Sequence, residues 1–159
     1  MFLLLSGVTS IGTKLLMIPG LGEIDRLYNV HKNIKYLLKF KDFRDNWDCI
    51  IFVYDEELNV SSLLKYCKII NVPGEFVASN IKQITPDFIE KSGYQFIFLL
   101  LDDIRLNLNK YEVEHFTRIK PRHRDPPDKI EYNNFDIERI INTMIFNNMT
   151  LIQPRVVGA

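Results

Sequence analysis

The sequence has no excess of charge of either sign, since 20 lysine and arginine residues are balanced by 20 aspartate and glutamate residues. Nucleic acids and acidic membranes attract proteins through a basic surface, so this balance gives neither partner any electrostatic support. No apolar run approaches the length of a membrane-spanning helix, and residues 2–5 are too short and lack the basic flank of a signal peptide. We therefore expect neither a nucleic-acid partner nor a membrane span.

Cysteine and histidine are also scarce, with two and three residues respectively. Cys49 and Cys67 lie at or inside apolar runs, which predicts buried free thiols and therefore a reducing, cytoplasmic compartment. The histidines are scattered and do not have the spacing of a zinc site. His31 falls on an otherwise apolar helical face and is interpreted as a satisfied core residue.

Three familiar catalytic motifs are missing. The sequence contains no G-x-S-x-G elbow, so hydrolases of that type have no support. The turn Pro19-Gly20-Leu21-Gly22 follows an apolar run, but it is not G-x-G-x-x-G and it lacks the lysine of a P-loop. Its two glycines allow backbone N–H groups to approach a ligand closely, and a plain turn is the alternative.

Apolar runs and amphipathic segments alternate along the 159 residues, of which 47% are hydrophobic. This length suits one globular domain with a sizeable core. The alternation predicts an α/β fold, with a mostly parallel open sheet and helices on both faces. The predicted strands cover residues 14–18, 49–54, 67–72, 94–101 and 150–157. The predicted helices cover residues 24–40, 61–66, 75–91, 110–119 and 135–147. A break is predicted at Thr85-Pro86 in the third of these helices, and a loop is predicted over 120–131.

The predicted strand 94–101 runs directly into two carboxylates, Asp102 and Asp103. Its uninterrupted apolar residues are typical of a strand that is buried on both faces. In open α/β sheets, ligands bind outside the carboxyl ends of the strands. Paired carboxylates there suit a Mg²⁺ or Mn²⁺ ion that bridges two phosphates. The alternative is a turn in which one aspartate caps backbone N–H groups and the other is solvated.

A second acidic cluster, Asp55-Glu56-Glu57, follows the predicted strand 49–54. Asp55 lies nearest the sheet, where acids of dinucleotide-binding proteins accept hydrogen bonds from a ribose. Glu56 and Glu57 are interpreted as a solvated turn. The basic segment 118–124 is either a flap over phosphates or a solvated loop, and a solvated loop is the usual role of such a charge run.

Four segments in chain order carry a resemblance to a known family. They are 15–19 (Leu-Leu-Met-Ile-Pro), 50–55 (Ile-Ile-Phe-Val-Tyr-Asp), 94–104 and 151–154 (Leu-Ile-Gln-Pro), and Thr85-Pro86-Asp87 stands where the family has a His-Pro-Asp-like helix start. On these segments the chain resembles nucleotide-sugar glycosyltransferases of the GT-A type. More narrowly, it is similar to a glycosyltransferase-like family of unknown function best known from plants, and to domains encoded by large DNA viruses of algae.

The resemblance implies a GT-A, Rossmann-like fold that transfers a sugar from a nucleotide-diphosphate sugar to a hydroxyl of a glycan or protein acceptor. It further implies a Mn²⁺ or Mg²⁺ cofactor and, for a virus-encoded protein, a location in the host cytoplasm. The residues it assigns are Pro19, Gly20, Tyr54 and Asp55 as the lining of the nucleotide pocket, Asp102 as a ligand to the sugar or ribose, and Asp103 as the metal ligand.

One departure from the family pattern concerns the acidic triplet, whose first carboxylate is replaced by Leu101. Asp102 and Asp103 must then serve alone, or the metal dependence is weakened. The family's catalytic base usually lies beyond the last predicted strand, so no catalytic residue is assigned. We therefore expect residues 1–159 to be one incomplete domain, the amino-terminal part of a longer protein. The alternatives are a non-catalytic, degenerate transferase-like interaction module and a flavodoxin-like or nucleotidyl-transfer domain.

Overall fold

A computed structural model describes residues 2–4, 14–74, 77–106 and 136–152. The predicted helix 110–119, the loop 120–131 and the basic segment 118–124 lie outside these ranges. The described strands are β1 (Phe2–Leu4), β2 (Lys14–Leu21), β3 (Trp47–Val53), β4 (Lys68–Asn71), β5 (Phe96–Leu99) and β6 (Leu151–Ile152). The described helices are α1 (Ile24–Leu37), α2 (Lys41–Asn46), α3 (Val77–Ile81), α4 (Pro86–Ser92) and α5 (Ile137–Phe146).

The described strands form one sheet in the order β4-β3-β2-β5-β1-β6. Strands β4, β3, β2 and β5 are parallel, whereas β1 pairs antiparallel with β5 and with β6. The predicted α/β fold with a mostly parallel sheet is confirmed. The chain moves from β2 outward through β3 to β4, and then returns to place β5 on the other side of β2. The strand order therefore reverses at β2, which is the topological switch point of such a sheet.

Helices cover both faces of the sheet, as predicted. Leu16 and Ile18 of β2 belong to a core shared with α1, α2 and α5, whereas Leu15 and Met17 belong to a second core with residues of α3 and α4. This division follows from the alternation of side chains along a strand. Because both faces are covered, the central strands are mostly apolar, and all eight residues of β2, including the paired Lys14, are buried.

The predicted end of β2 at Pro19-Gly20 is wrong, since the strand continues to Leu21. Proline has no N–H group to donate to a neighbouring strand, and such residues are found at bulges. The pairing of β2 with β3 shifts register between Ile18 and Leu21, which is such an irregularity. As a result, the Leu21 carbonyl accepts a hydrogen bond from the Tyr54 N–H at 3.0 Å, and the two strand ends remain joined.

Most of the helix predictions in the described part of the chain were correct in position and less so in extent. The predicted helix 24–40 ends at Leu37 and a separate helix, α2, follows it. The predicted helix 61–66 is wrong, because this segment forms consecutive turns. The predicted break at Thr85-Pro86 is confirmed: the Thr85 hydroxyl accepts the Phe88 N–H at 3.1 Å, and Pro86 opens α4.

The prediction of free thiols is wrong, because Cys49 and Cys67 form a disulfide. Cys49 lies on β3 and Cys67 immediately precedes β4, and the parallel pairing of Ile50 with Lys68 makes the two cysteines neighbours. Disulfides are typical of oxidising compartments, so the cytoplasmic location loses its argument from free thiols. None of the helices that the structure describes is long and apolar enough to cross a membrane.

A charged network closes the amino-terminal edge of the sheet. The Lys14 ammonium donates to both carboxylate oxygens of Asp42, at 2.8 and 2.9 Å. Asp42 also accepts hydrogen bonds from Asn46 Nδ2 at 2.8 Å and from Trp47 Nε1 at 3.0 Å. Burial raises the pKa of Asp42, but the hydrogen bonds from Lys14, Asn46 and Trp47 outweigh it, so the pKa lies below its ordinary value.

We expect the purified protein to contain no titratable thiol before reduction, because both cysteines are bonded and the closed loop spans 18 residues. The double substitution C49A/C67A should lower the free energy of unfolding by about 3 kcal/mol through loss of this cross-link. Mass spectrometry after alkylation counts the thiols, and urea denaturation measures the stability. The wild type under reducing conditions is the matched control, since it keeps both side chains. If both cysteines of the unreduced protein are alkylated, whether the protein is folded or unfolded, the disulfide is contradicted.

The Asp42 network should make stability depend on pH. Since the pKa of Asp42 is lowered on folding, its carboxylate stabilises the fold above the unfolded pKa of about 3.9, and this contribution is lost as the pH falls through the folded pKa. Asp42→Asn should therefore cost about 2 kcal/mol at pH 7, and the deficit should narrow below pH 4. Fluorescence of the single tryptophan, Trp47, reports unfolding. Asp45→Asn is the control, and a deficit independent of pH would refute the assignment.

Candidate functional site

Tyr54 lies where the carboxyl ends of β2, β3 and β5 meet, at the switch point of the sheet. It directly follows β3, and the Leu21 carbonyl at the end of β2 holds its backbone N–H. Burial raises the pKa of the Tyr54 hydroxyl, and the charges of Asp102 and Glu23 add to the rise. The Tyr54 hydroxyl is therefore close enough to Glu23, which follows β2, and to Asp102, which follows β5, for their charges to act on it. Tyr54 and Asp102, two of the predicted site residues, are brought together.

The Tyr54 ring rests directly on the backbone of Gly22. A Cβ atom at position 22 would lie 1.9 Å from Cε2 of the ring, which is an impossible contact. Glycine is therefore required here for the close approach of an aromatic ring, and not for an unusual backbone angle. The half-buried ring is held at the end of β3 with one part against Gly22.

Pro19 and Gly20, the other predicted residues of this turn, are buried beneath α3. A Cβ atom at Gly20 would lie 2.6 Å from Cγ2 of Val77. The Pro19 carbonyl accepts a hydrogen bond of 2.7 Å from Asn80 Nδ2. Because a carbonyl can only accept, this bond fixes the orientation of the Asn80 amide. Asn80 is fully buried, and its Oδ1 has no hydrogen-bond partner in the described part of the chain.

The predicted strand 94–101 is too long, since β5 covers Phe96–Leu99, and Asp102 and Asp103 lie on a turn that follows the strand. The Leu100 N–H donates to the Met17 carbonyl at 3.0 Å, so β5 stays against β2 up to this turn. Asp102 is half-buried and Asp103 is exposed. Burial raises the pKa of Asp102; Arg26 opposes the rise and Asp103 adds to it. The carboxylate of Asp102 is therefore the more desolvated member of the pair.

Arg26 is a cation of the site that was not predicted from the sequence. Its Nη1 lies 3.6 Å from Oδ2 of Asp103, and its Nε lies 3.8 Å from Oε2 of Glu23. Both distances exceed those of hydrogen bonds. Exposed ion pairs of this kind contribute on the order of 0–1 kcal/mol. Three carboxylates, from Glu23, Asp102 and Asp103, lie near the Arg26 guanidinium. A second guanidinium, that of Arg105, lies beside the same turn, where its Nε donates to Oδ1 of Asn29 at 2.7 Å.

Two asparagines of α1 fasten the acidic turn to the helix. Asn29 Nδ2 donates to the carbonyls of Asp102 at 2.7 Å and Ile104 at 2.8 Å. Asn33 is fully buried; its Nδ2 donates to the Ile104 carbonyl at 2.6 Å, and its Oδ1 accepts the Leu106 N–H at 3.0 Å. The sequence analysis missed this amide clamp. Its signal is a pair of asparagines four residues apart, which places both on one side of an amphipathic helix.

The remaining predicted residues have local partners. Oδ1 of Asp55 accepts the Glu57 N–H at 2.9 Å and so closes the turn after β3. Oδ2 of Asp55 accepts no hydrogen bond from any described residue, which leaves one oxygen available to a ligand. His31 is hydrogen bonded to the Ser62 hydroxyl at 2.8 Å. It is a satisfied residue, as predicted, but it is half-buried and lies outside the core.

The carboxylates at this edge fit a divalent cation only together with a ligand. No group of three or more histidine, cysteine, aspartate or glutamate side chains suited to a metal ion occurs among the described residues. Asp102 and Asp103 provide hard oxygen atoms, and the preceding residue, Leu101, is 43% exposed. Mg²⁺ is often bound by one or two carboxylates plus substrate phosphates. The donor set therefore fits a cation whose coordination a diphosphate would complete.

The contact between Gly22 and Tyr54 yields a prediction. We expect Gly22→Ala to displace the Tyr54 ring, because the new methyl group would overlap it. The displacement should lower the free energy of unfolding by about 1–3 kcal/mol. Once Tyr54→Ala has removed the ring, Gly22→Ala should cost much less. Urea denaturation of the two single variants and the double variant measures the coupling between the two positions. Additive effects in the double variant would contradict the contact.

Comparison of the chain with models of known families, with curated proteins and with solved structures finds no match. The chemistry of this site must therefore be inferred from its own residues, namely the aromatic ring of Tyr54, the acids of the β3 and β5 ends, and Arg26 and the amide clamp on α1.

Proposed function

We propose that the carboxyl-terminal edge of the sheet binds a nucleotide-diphosphate sugar, and that the protein transfers the sugar to a hydroxyl group of a glycan or protein acceptor. The observation that carries this proposal is the strand order, which reverses at β2. Tyr54, the acidic turn and the start of α1 all meet at that point. In open α/β sheets, nucleotides bind in the crevice outside the carboxyl ends of the strands at such a reversal.

The nucleoside would lie against the β3 end. The half-buried ring of Tyr54 is held against Gly22, so it can support a base or ribose without a further loss of side-chain freedom. The Oδ1 atom of Asp55 is fixed by the Glu57 N–H, and its Oδ2 atom would accept a hydrogen bond from a ribose hydroxyl. Pro19 and Gly20 would support this pocket from beneath, since α3 covers them.

The diphosphate and the sugar would lie against the β5 end. Asp103, the more exposed carboxylate, would hold Mn²⁺ or Mg²⁺, and Asp102 would accept hydrogen bonds from the sugar or ribose. The bound cation would act as a Lewis acid that stabilises negative charge on the departing diphosphate. The requirement for a cation follows from charge, because the acids of this edge would otherwise repel a diphosphate.

A non-catalytic interaction module is the second candidate. Two observations favour it: Leu101 occupies the place of the family's first carboxylate, and Arg26 already lies within ion-pair distance of Asp103. Such a module would keep the sheet and the amide clamp but would have no affinity for a nucleotide. The two candidates therefore differ in a property that can be measured directly.

Calorimetric titration with UDP and with GDP, each in the presence and absence of Mn²⁺, tests the proposal. We expect one nucleotide to bind more tightly with Mn²⁺, since a cation must offset the carboxylates at this edge of the sheet. Asp103→Ala should remove the metal-dependent part of the affinity and retain the metal-independent part. Asp45→Asn, which removes one carboxylate from α2, is the matched control and should leave both parts unchanged.

The outcomes separate the candidates. If neither nucleotide binds under either condition, the transferase proposal fails and the interaction module is favoured. If a nucleotide binds but Asp103→Ala keeps the full effect of Mn²⁺, the assignment of Asp103 as the metal ligand is refuted.

A further inference from the structure

Arg26 occupies a position between two potential anionic partners. It is the third residue of α1, the helix that begins two residues after Gly22. Its guanidinium approaches the acid that would hold a metal ion, Asp103, and the residue that precedes the helix, Glu23. No hydrogen bond joins the Arg26 side chain to any residue that the structure describes. None of the five N–H donors of the guanidinium is therefore used in a hydrogen bond to a described residue.

We propose that Arg26 is an exchangeable counter-ion, which neutralises Asp103 in the free protein and binds the diphosphate of the incoming ligand. This inference rests on the proposed function. In the free protein, Arg26 pairs with Asp103 and with Glu23. When a diphosphate arrives with its cation, Arg26 leaves Asp103 for the phosphate oxygens, and the Asp103 carboxylate becomes available to the cation. Metal and nucleotide then bind as a unit, and each raises the affinity for the other.

The exchange requires the Arg26–Asp103 pair to be weak, and the geometry satisfies this condition. The two side chains are 41% and 47% exposed, and their closest atoms are 3.6 Å apart. Solvent screens such a pair, so little is lost when it opens. A bidentate contact of the guanidinium with a phosphate is the stronger interaction. The equilibrium therefore favours the diphosphate once one is present.

The start of α1 is suited to an anionic ligand as well. The residue that precedes the helix, Glu23, makes no side-chain hydrogen bond to the first N–H groups of the helix. These groups carry the partial positive charge of the helix dipole. In doubly wound sheets, the phosphates of a nucleotide lie at the amino terminus of the helix that follows the first strand. Arg26 adds a positive charge at that place, next to the acids Glu23 and Asp25, whose charges it offsets in part.

The backbone of the acidic turn stays fixed while the side chains exchange partners. Asn29 holds the carbonyls of Asp102 and Ile104, and it belongs to the same helix as Arg26, three residues away. Helix α1 thus contacts the backbone of Asp102 through Asn29 and the side chain of Asp103 through Arg26. Only the contact with the side chain has to open, so the exchange needs no movement of β5 or α1.

Arg26→Gln tests the proposal, with UDP and Mn²⁺ as probes. Calorimetry gives the UDP dissociation constant with saturating Mn²⁺ and with a chelator, and the ratio of the two is the metal–nucleotide coupling. Electron paramagnetic resonance of free Mn²⁺ gives the metal affinity without nucleotide. We expect Arg26→Gln to bind Mn²⁺ alone more tightly than the wild type and to reduce the coupling by about tenfold. Arg26→Lys, which keeps the charge, should restore part of the coupling.

Lys35→Gln is the matched control, because it removes one positive charge from the last turn of the same helix. It should leave the coupling at the wild-type value. If Arg26→Gln changes both separate affinities but leaves the coupling unchanged, Arg26 acts only through long-range charge and the exchange is overturned. If the wild type binds UDP weakly and GDP tightly, GDP replaces UDP as the probe; if it binds neither nucleotide even with Mn²⁺, the proposed function itself fails, and the exchange falls with it. Thermal unfolding verifies that each variant is folded.

Discussion

The site depends on the amide clamp between α1 and the turn after β5. Asn33 is fully buried in the core, where an unsatisfied amide would cost on the order of 1–3 kcal/mol. Both ends of its amide are bonded to the turn, to the Ile104 carbonyl and the Leu106 N–H. The clamp is thus specific: another arrangement of the turn would leave the buried amide without partners. Through it, the packing of α1 in the core fixes where Asp102 and Asp103 lie.

The two edges of the sheet differ in how well their charges are satisfied. At the amino-terminal edge, the carboxylate of Asp42 has three donors, and the Tyr94 hydroxyl donates to Asp48 at 2.8 Å. Burial and the bond to Asp48 raise the pKa of Tyr94 to about 12. At the carboxyl-terminal edge, the ion pairs of Arg26 are longer than hydrogen bonds. Proteins commonly leave local interactions unsatisfied where they bind ligands, and compensate for this elsewhere.

The features that the sequence predicted correctly are ones that depend on neighbouring residues. The apolar runs gave the parallel strands, and Thr85-Pro86 gave the start of α4, because strand burial and helix capping are local properties. The disulfide and the amide clamp were missed because they join segments that become neighbours only in the folded sheet. Asp102 lies 73 residues from Asn29 in the chain, and no local pattern links them. The site residues at the strand ends were therefore predicted from the sequence, whereas their partners on α1 were not.

The charge of the site explains why Leu101 is compatible with the proposed function. Glu23, Asp102 and Asp103 already place three carboxylates near the guanidinium of Arg26. A fourth acid at position 101 would add to their mutual repulsion, and the raised pKa of Asp102 shows that burial already disfavours charge there. With an exposed leucine at this position, the protein holds two carboxylates for a cation and leaves the other coordination positions to the ligand. Under the proposed function, the loss of the first acid therefore shifts part of the cation's coordination from the protein to the diphosphate.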